Sequence, residues 1–361
     1  MKFCVYCGKE IPNQAKFCVY CGQQQPKGSI REDSQPVSSK SEGIYDMATG
    51  KLNSYTGGHG SVHVNLTEMF SEVFEHHTSE EAEKIFIAGT KYTTPDLDDT
   101  SDNWTKPWLF FRVLSYFSLI LVVLLGAAYL LGGVMAVPGV MIVSALAVPF
   151  SAVIFYFECN AFQNISIFTV MKIYFIGGAL SLLATMFLYQ FAIYSNSGEV
   201  GLWSASVIGF VEELGKLIVI IYFVNKIKTN YILNGILIGG SVGAGFATFE
   251  TAGYIYYSGD SYIITALLRA VTAIGSHLVW AAITGGAIML LKKMGTNISF
   301  EELFDSHFLI FFGLSIFLHA MWDWTFIGWV KYIFLITVAW IILFVLMNAG
   351  INQVHALKSQ S

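Results

Sequence analysis

The chain has 361 residues, of which 55% are hydrophobic and only 12% charged, and its mean hydropathy is +0.59. A soluble chain carries about 25% charged residues, so this composition excludes an ordinary soluble globular protein. The formal charge of −5 also speaks against a nucleic-acid partner. The charge deficit is uneven: residues 1–107 are polar and the rest mostly apolar, giving a soluble N-terminal region and a membrane domain. The first residues lack the apolar core of a cleavable signal peptide, so the first transmembrane helix is expected to direct insertion.

Four of the five cysteines, Cys4, Cys7, Cys18 and Cys21, form two Cys-x-x-Cys knuckles, each followed by a glycine. Such knuckles place paired thiolates on one tetrahedral zinc, and Gly8 and Gly22 permit the positive φ that the turns need. A segment this short has no apolar core, so the metal would supply its folding energy. We therefore expect a small structural zinc ribbon over residues 1–24. Free thiolates imply a reducing compartment and hence a cytoplasmic N-terminus, where the ribbon could dock a cytoplasmic protein partner. The fifth cysteine, Cys159, reads as a passenger rather than a nucleophile.

Residues 25–60, rich in Gln, Ser, Gly and Lys, read as a flexible linker. Over 61–107, short amphipathic cytoplasmic helices are expected. Leu66, Met69, Phe70, Val73 and Phe74 recur at helical spacing behind an Asn65 cap. Thr78 and Glu81 form a capping box for a second helix with Ala82, Ile85 and Phe86 on one face. This pair should dock on the membrane domain or the lipid surface. His59, His63, His76 and His77 read as solvated rather than as metal ligands.

About eight stretches are long enough to cross a hydrocarbon core of roughly 30 Å, giving an all-α polytopic membrane domain over 108–350 and a cytoplasmic tail over 351–361. Their approximate limits are 108–131, 134–157, 170–194, 200–224, 231–257, 262–291, 306–328 and 330–350, the last two nearly continuous through Gly328. With the N-terminus inside, Lys172, Lys226, Lys228, Lys292, Lys293 and Lys358 all fall on the cytoplasmic side and only Lys331 outside. This asymmetry satisfies the positive-inside rule and places both termini in the cytoplasm, as suits a bacterial inner membrane.

Ionisable groups interrupt these spans: Glu212, Glu213 and Lys216 in the fourth, Glu250 in the fifth, Arg269 and His277 in the sixth, His319 and Asp323 in the seventh. The six carboxylate, lysine and arginine groups among them, left unpaired, would cost about 15–20 kcal/mol, so they must face one another or a wet cavity. Glu212 and Lys216, His319 and Asp323, and Glu250 and Tyr254 each stand at i, i+4 and so share a helix face. Gly239, Gly240, Gly243, Ala244 and Gly245 let helices approach the fifth span closely. Two histidines, three glutamates and an aspartate at compatible depth suit hydrolysis, which needs an activated water, an acid for the leaving amine and a stabiliser for the oxyanion. Glu212 and Glu213 point about 100° apart; one would meet Lys216 and the other the water, and the spacing leaves both assignments open. A metal version would use His277, His319 and a carboxylate as ligands of a catalytic zinc, with a position left for water.

In sequence, EELGK at 212–216 has the form EExxK, FETAGY at 249–254 the form FExxxY and HAMWD at 319–323 the form HxxxD, with Arg269 and His277 between the last two. That order over residues 108–350 resembles the PrsW family of intramembrane proteases, distantly similar to CAAX prenyl endopeptidases and Abi proteins. The stretch FYFECNAFQNISI, with Glu158 and Asn160, resembles a further segment of that family. The resemblance implies cleavage of a membrane-anchored protein such as an anti-sigma factor. It also implies that Glu212, Glu213, Glu250 and His277 are required, with His319 and Asp323 as partners and Lys216, Tyr254 and Arg269 in support. The family is described both as metallo- and as glutamate-type. The N-terminal ribbon departs from the minimal family pattern. A proton- or ion-coupled transporter is a competing reading, since buried carboxylates and histidines also mark ion paths, though no inverted repeat is evident. A catalytically silent scaffold is a third.

Zinc measured on the whole chain and on a chain starting near Asn103 tests the ribbon. About one ion in the former and none in the latter places the metal on the cysteines.

Overall fold

The computed structural model describes residues 2–3, 10–11, 43–194, 199–292, 296–326 and 328–360. The four ribbon cysteines lie outside the described residues. On either side of the first knuckle in sequence, strands β1 (Lys2–Phe3) and β2 (Glu10–Ile11) pair antiparallel, Lys2 opposite Ile11.

A cap of short helices follows: α1 (Ile44–Tyr55), α2 (Leu66–Met69) and α3 (Ser79–Phe86). Helix α1 lies within the stretch expected to be a linker. Its polar residues hold it together locally: Asn53 is buried and donates to the carbonyls of His59 and Gly60 at 3.2 and 3.0 Å. The Asn65 cap and the Thr78–Glu81 capping box form as read. Ala82, Ile85 and Phe86 pack against Trp108, Leu109 and Ile154, so the cap docks on the bundle. His77, expected to be solvated, is instead largely covered, stacking on Trp108 with centroids 3.8 Å apart and donating from Nε2 to Glu72 O at 2.9 Å.

The membrane domain comprises α4 (Leu109–Leu130), α5 (Val137–Glu158), α6 (Ile167–Lys172) running through a π-turn at Ile173–Gly177 into α7 (Gly178–Tyr189), α8 (Leu202–Ile227), α9 (Ile232–Tyr257), α10 (Tyr262–Thr272), α11 (His277–Leu291), α12 (Ser306–Asp323) and α13 (Val330–Lys358). Among the described residues, seven helical segments are long and apolar enough to cross a membrane, with α6–α7 and α10–α11 each counting as one. Helix α8 does not reach that apolar threshold, because Glu212, Glu213, Lys216 and Lys226 all lie in it. It nevertheless runs the full depth of the bundle. Near its start, Thr325 N donates to Val200 O at 3.2 Å; near its end, Ile298 N donates to Asn225 Oδ1 at 2.9 Å.

The two ends of the domain meet on one face. Lys358 Nζ donates to Thr100 O at 2.7 Å, and Ile232 N to Gln353 Oε1 at 2.9 Å. Residues 351–358, expected to be a tail, continue α13. Helix α12 ends at Asp323 and α13 begins at Val330, so the two are not continuous. Lys331 secures that turn by donating to the carbonyls of Trp322 and Trp324.

Helix α9 is the centre of the bundle, buried along most of its length. A Cβ at Gly239 or Gly243 would run into the carbonyls of Ala281 or His277 on α11, and one at Gly245 into that of Tyr174. Glycine is required where backbones approach this closely. The sixth span breaks at Ala273–Gly275, and Ser276 is extended (φ −103°, ψ −141°), so α11 begins anew at His277. A Gly-Ser pair is a recognised cause of such a break. A side chain at Gly275 would also collide with Ile336 of α13.

Two outcomes follow from this packing. Gly243→Ala should lower stability by about 1–3 kcal/mol, seen as a lower Tm in detergent. A chain starting at Gly43 should keep the full-length Tm, whereas one starting at Asn103 should lose several degrees because it sheds the docked cap.

Candidate active site

Helices α8, α9, α10, α11 and α12 bring Glu212, Glu213, Lys216, Glu250, Arg269, His277, His319 and Asp323 into one cluster. Glu213 and Lys216 are fully buried, and His277 and His319 nearly so. Lys216 Nζ donates to Glu213 Oε1 at 2.8 Å and lies 3.7 Å from Glu212 Oε2. The closer partner is therefore the i, i+3 glutamate rather than the i, i+4 one. Lys216 Nζ is also 2.8 Å from His277 Nδ1, and it sits 4.2 Å above the Phe246 ring.

Each imidazole is held by a carboxylate. His277 Nε2 lies 2.9 Å from Glu250 Oε2, which also accepts from Arg269 Nη2 at 2.5 Å. Arg269 is fixed in turn by Thr251 Oγ1 at 3.1 Å and by the Tyr254 ring, 4.0 Å away. His319 Nδ1 lies 2.9 Å from Glu213 Oε1, and its Nε2 is 3.4 Å from Asp323 Oδ2 and 3.6 Å from Glu212 Oε2. Carboxylates are acceptors only, so these partners put the imidazole protons on His277 Nε2 and His319 Nδ1. His277 Nδ1 then accepts from Lys216 Nζ, His319 Nε2 lies beside the carboxylates of Asp323 and Glu212, and both nitrogens stand within 4 Å of Glu212 Oε2.

Glu212 and Glu213 differ as their angular separation requires. Glu213 Oε1 serves both Lys216 and His319. Glu212 Oε1 accepts from the Tyr189 hydroxyl at 2.9 Å, while its Oε2 is buried with no hydrogen-bond partner among the described residues. A buried carboxylate oxygen left without a partner is costly, and Glu213 Oε2 shares that condition.

Among the described residues, Glu212, His277 and His319 can offer ligand atoms within 4.8 Å of one another. Glu212 Oε2 is 3.6 Å from His319 Nε2 and 3.9 Å from His277 Nδ1. Ligands of a tetrahedral zinc stand about 3.4 Å apart, so the three need only a small inward movement. Glu250 and Glu213 behind the imidazoles supply the outer carboxylates that orient metal-binding histidines. With neutral histidines, Glu212, Glu213, Glu250 and Asp323 outweigh Lys216 and Arg269 by a charge of −2, which one divalent ion cancels. The residues fit a metal.

A cleft of about 50 Å³ reaches this cluster. Glu250, Thr251, Tyr254, Arg269, Ser276, His277, Trp322 and Asp323 are among the residues that line it. The cluster is displaced from mid-depth. Glu250 lies about 10 Å from the Tyr257 end of α9 and His319 about 6 Å from the Asp323 end of α12, whereas His277 lies about 21 Å from the opposite face.

Sequence reasoning did not name Tyr189, Phe246, Thr251 or Trp280. Trp280 stacks on His319 with centroids 4.5 Å apart and meets His277 edge-on at 5.2 Å. Its i+3 relation to His277, and the i−4 relation of Phe246 to Glu250, were available signals; Tyr189 had none. Glu158 and Asn160 are not at the site. Glu158 caps α4 by accepting from the N–H groups of Trp108, Leu109 and Phe110 at 2.9 Å, a favourable place for a carboxylate. Asn160 is buried, 3.4 Å from Asn164 Oδ1. Burial pushes the Cys159 thiol up, which makes it a poor nucleophile.

Fold and site together define a polytopic membrane protein with a buried cluster of carboxylate, imidazole and cationic groups. A family model described as PrsW family intramembrane metalloprotease matches residues 166–349, just over half of the chain. The chain belongs to that family and is an intramembrane endopeptidase. It is 24% identical over 200 residues to Protease PrsW of Halalkalibacterium halodurans, an alignment covering 55% of this chain and 88% of that protein. No solved structure matches the chain.

The two glutamates should separate in stability. In metal-free detergent, Glu213→Gln should cost about 3–5 kcal/mol, because it leaves Lys216 without its closest countercharge. Glu212→Gln should stay within about 1 kcal/mol of the parent, as judged by thermal unfolding.

Proposed function

We propose that this chain hydrolyses a peptide bond of a single-span, membrane-anchored protein of the anti-sigma-factor type, and that Glu212, His277 and His319 hold a catalytic zinc. The observation that carries this reading is that Glu212 Oε2, without a hydrogen-bond partner among the described residues, stands within 4 Å of a ring nitrogen of both His277 and His319. When bound, such an ion supplies Lewis acidity. The chain's own groups do the rest. Asp323 is the carboxylate at the cleft with the fewest partners, and it takes the proton of the attacking water and returns it to the leaving amine. Glu250 and Glu213 fix the tautomer and direction of His277 and His319. Arg269 and Tyr254 position Glu250 at the cleft wall, while Trp280 and Phe246 keep bulk water from the imidazoles. Family membership favours this reading over a transporter or a silent scaffold.

A glutamate-type reaction, with Glu212 Oε2 itself taking the water proton, is the second reading. It draws on the Lys216 ammonium, which already stands beside His277 Nδ1.

We further propose that α8 counts as an eighth span and that the face carrying Lys172, Lys226, Lys228 and Lys292 is cytoplasmic. Both termini then lie inside a bacterial inner membrane, and the site lies in the outer half. The ribbon would bind zinc through Cys4, Cys7, Cys18 and Cys21 and present a docking surface to a cytoplasmic protein.

Cleavage of a single-span substrate in proteoliposomes tests the assignment. Glu212→Gln should abolish both cleavage and the membrane-site zinc. Asp323→Asn should lower kcat by about 10²–10⁴-fold with zinc retained. Full activity in Glu212→Gln would overturn both readings.

A further inference from the structure

Lys216 is the one cluster member whose position conflicts with a bound ion. Neutral imidazole has one N–H and one lone pair. His277 Nε2 faces the acceptor Glu250 Oε2 at 2.9 Å, so its proton is there and its lone pair is on Nδ1. An ammonium has only donors, and Lys216 Nζ, 2.8 Å away, fills that lone pair. The same Nδ1 would have to ligate the ion, and one lone pair cannot do both. The ammonium also stands 3.7 Å from the partnerless Glu212 Oε2, on the side where an ion would sit.

We propose that Lys216 is a resident counter-cation that competes with the divalent ion for His277 Nδ1, so that metal enters only as the ammonium swings away. The inference rests on the metal reading above. A retreat is already built: Glu213 Oε1 holds the ammonium at 2.8 Å and the Phe246 ring lies 4.2 Å beneath it. Rotation about the side-chain bonds can give up Nδ1 while keeping both contacts. The arrangement lets the bundle fold in the membrane before metal arrives, because a cation always faces Glu212, and it makes the site hold metal more weakly than its ligands alone would.

The test uses the full-length protein in detergent, with zinc titrated against a chelator. The four cysteines are present in every variant, so their zinc is removed by subtracting the count for His319→Ala. Lys216→Met should bind the membrane-site ion about tenfold or more tightly than the parent. Arg269→Gln sheds the same charge without touching Nδ1 and should tighten binding much less. Should Lys216→Met fail to fold, judged by gel filtration and Tm, Lys216→Gln retains a donor for Glu213 and should show the same direction. Unchanged affinity in the folded Lys216 variant, or equal tightening by Arg269→Gln, overturns the competition while leaving the metal site standing. An ion count no higher than that of His319→Ala in both parent and variant overturns the metal reading as well.

Discussion

Lys216 places a full positive charge where no solvent reaches it, inside a bundle whose surroundings are otherwise apolar. Such a charge is tolerated only if carboxylates converge on it with good geometry. Glu213 meets it directly, Glu212 stands on its other side, and His277 joins it to Glu250 and Arg269. Helices α8, α9, α10, α11 and α12 are thereby tied to one point, and the close glycine contacts of α9 are what allow them to come near enough. Charge satisfaction thus sets the helix register, and the register creates the site.

The result is a site whose parts have unequal freedom. Glu213 Oε1 and Glu250 are committed to partners and act as a scaffold. Glu212 Oε2 has no hydrogen-bond partner among the described residues, and His277 and Asp323 line the cleft. The break at Ala273–Gly275 matters here, because it starts α11 at His277 and frees the imidazole from a continuous helix wall. The same break lets Ser276 and Ala273 line the cleft.

Much of this was legible in the sequence. The intramembrane charges stood out because each is costly, and their i, i+4 spacings told which pairs share a face. Only the fold could show that Lys216 prefers Glu213, since the i, i+3 and i, i+4 partners are equivalent on an isolated helix. The break in the sixth span rests on a Gly-Ser pair in an otherwise apolar run and on crowding by Ile336, a contact more than sixty residues away in the chain. Helix α1 was hidden because its buried residues are polar, Thr49 and Asn53, so no apolar period announces it. Tyr189 gave no local sign, since its partner Glu212 is on the next helix. Glu158 was singled out only through the family resemblance of its stretch, and its use in the fold is to cap α4.

The central claim is that a buried charge cluster forms a hydrolytic centre in the outer half of the membrane. Mass-spectrometric mapping of the cut in a single-span substrate of known orientation, cleaved in proteoliposomes, tests it most directly. The account predicts a scissile bond in the outer half of the substrate's span or just beyond it. A cut in the cytoplasmic half, or in a cytoplasmic tail, would contradict it.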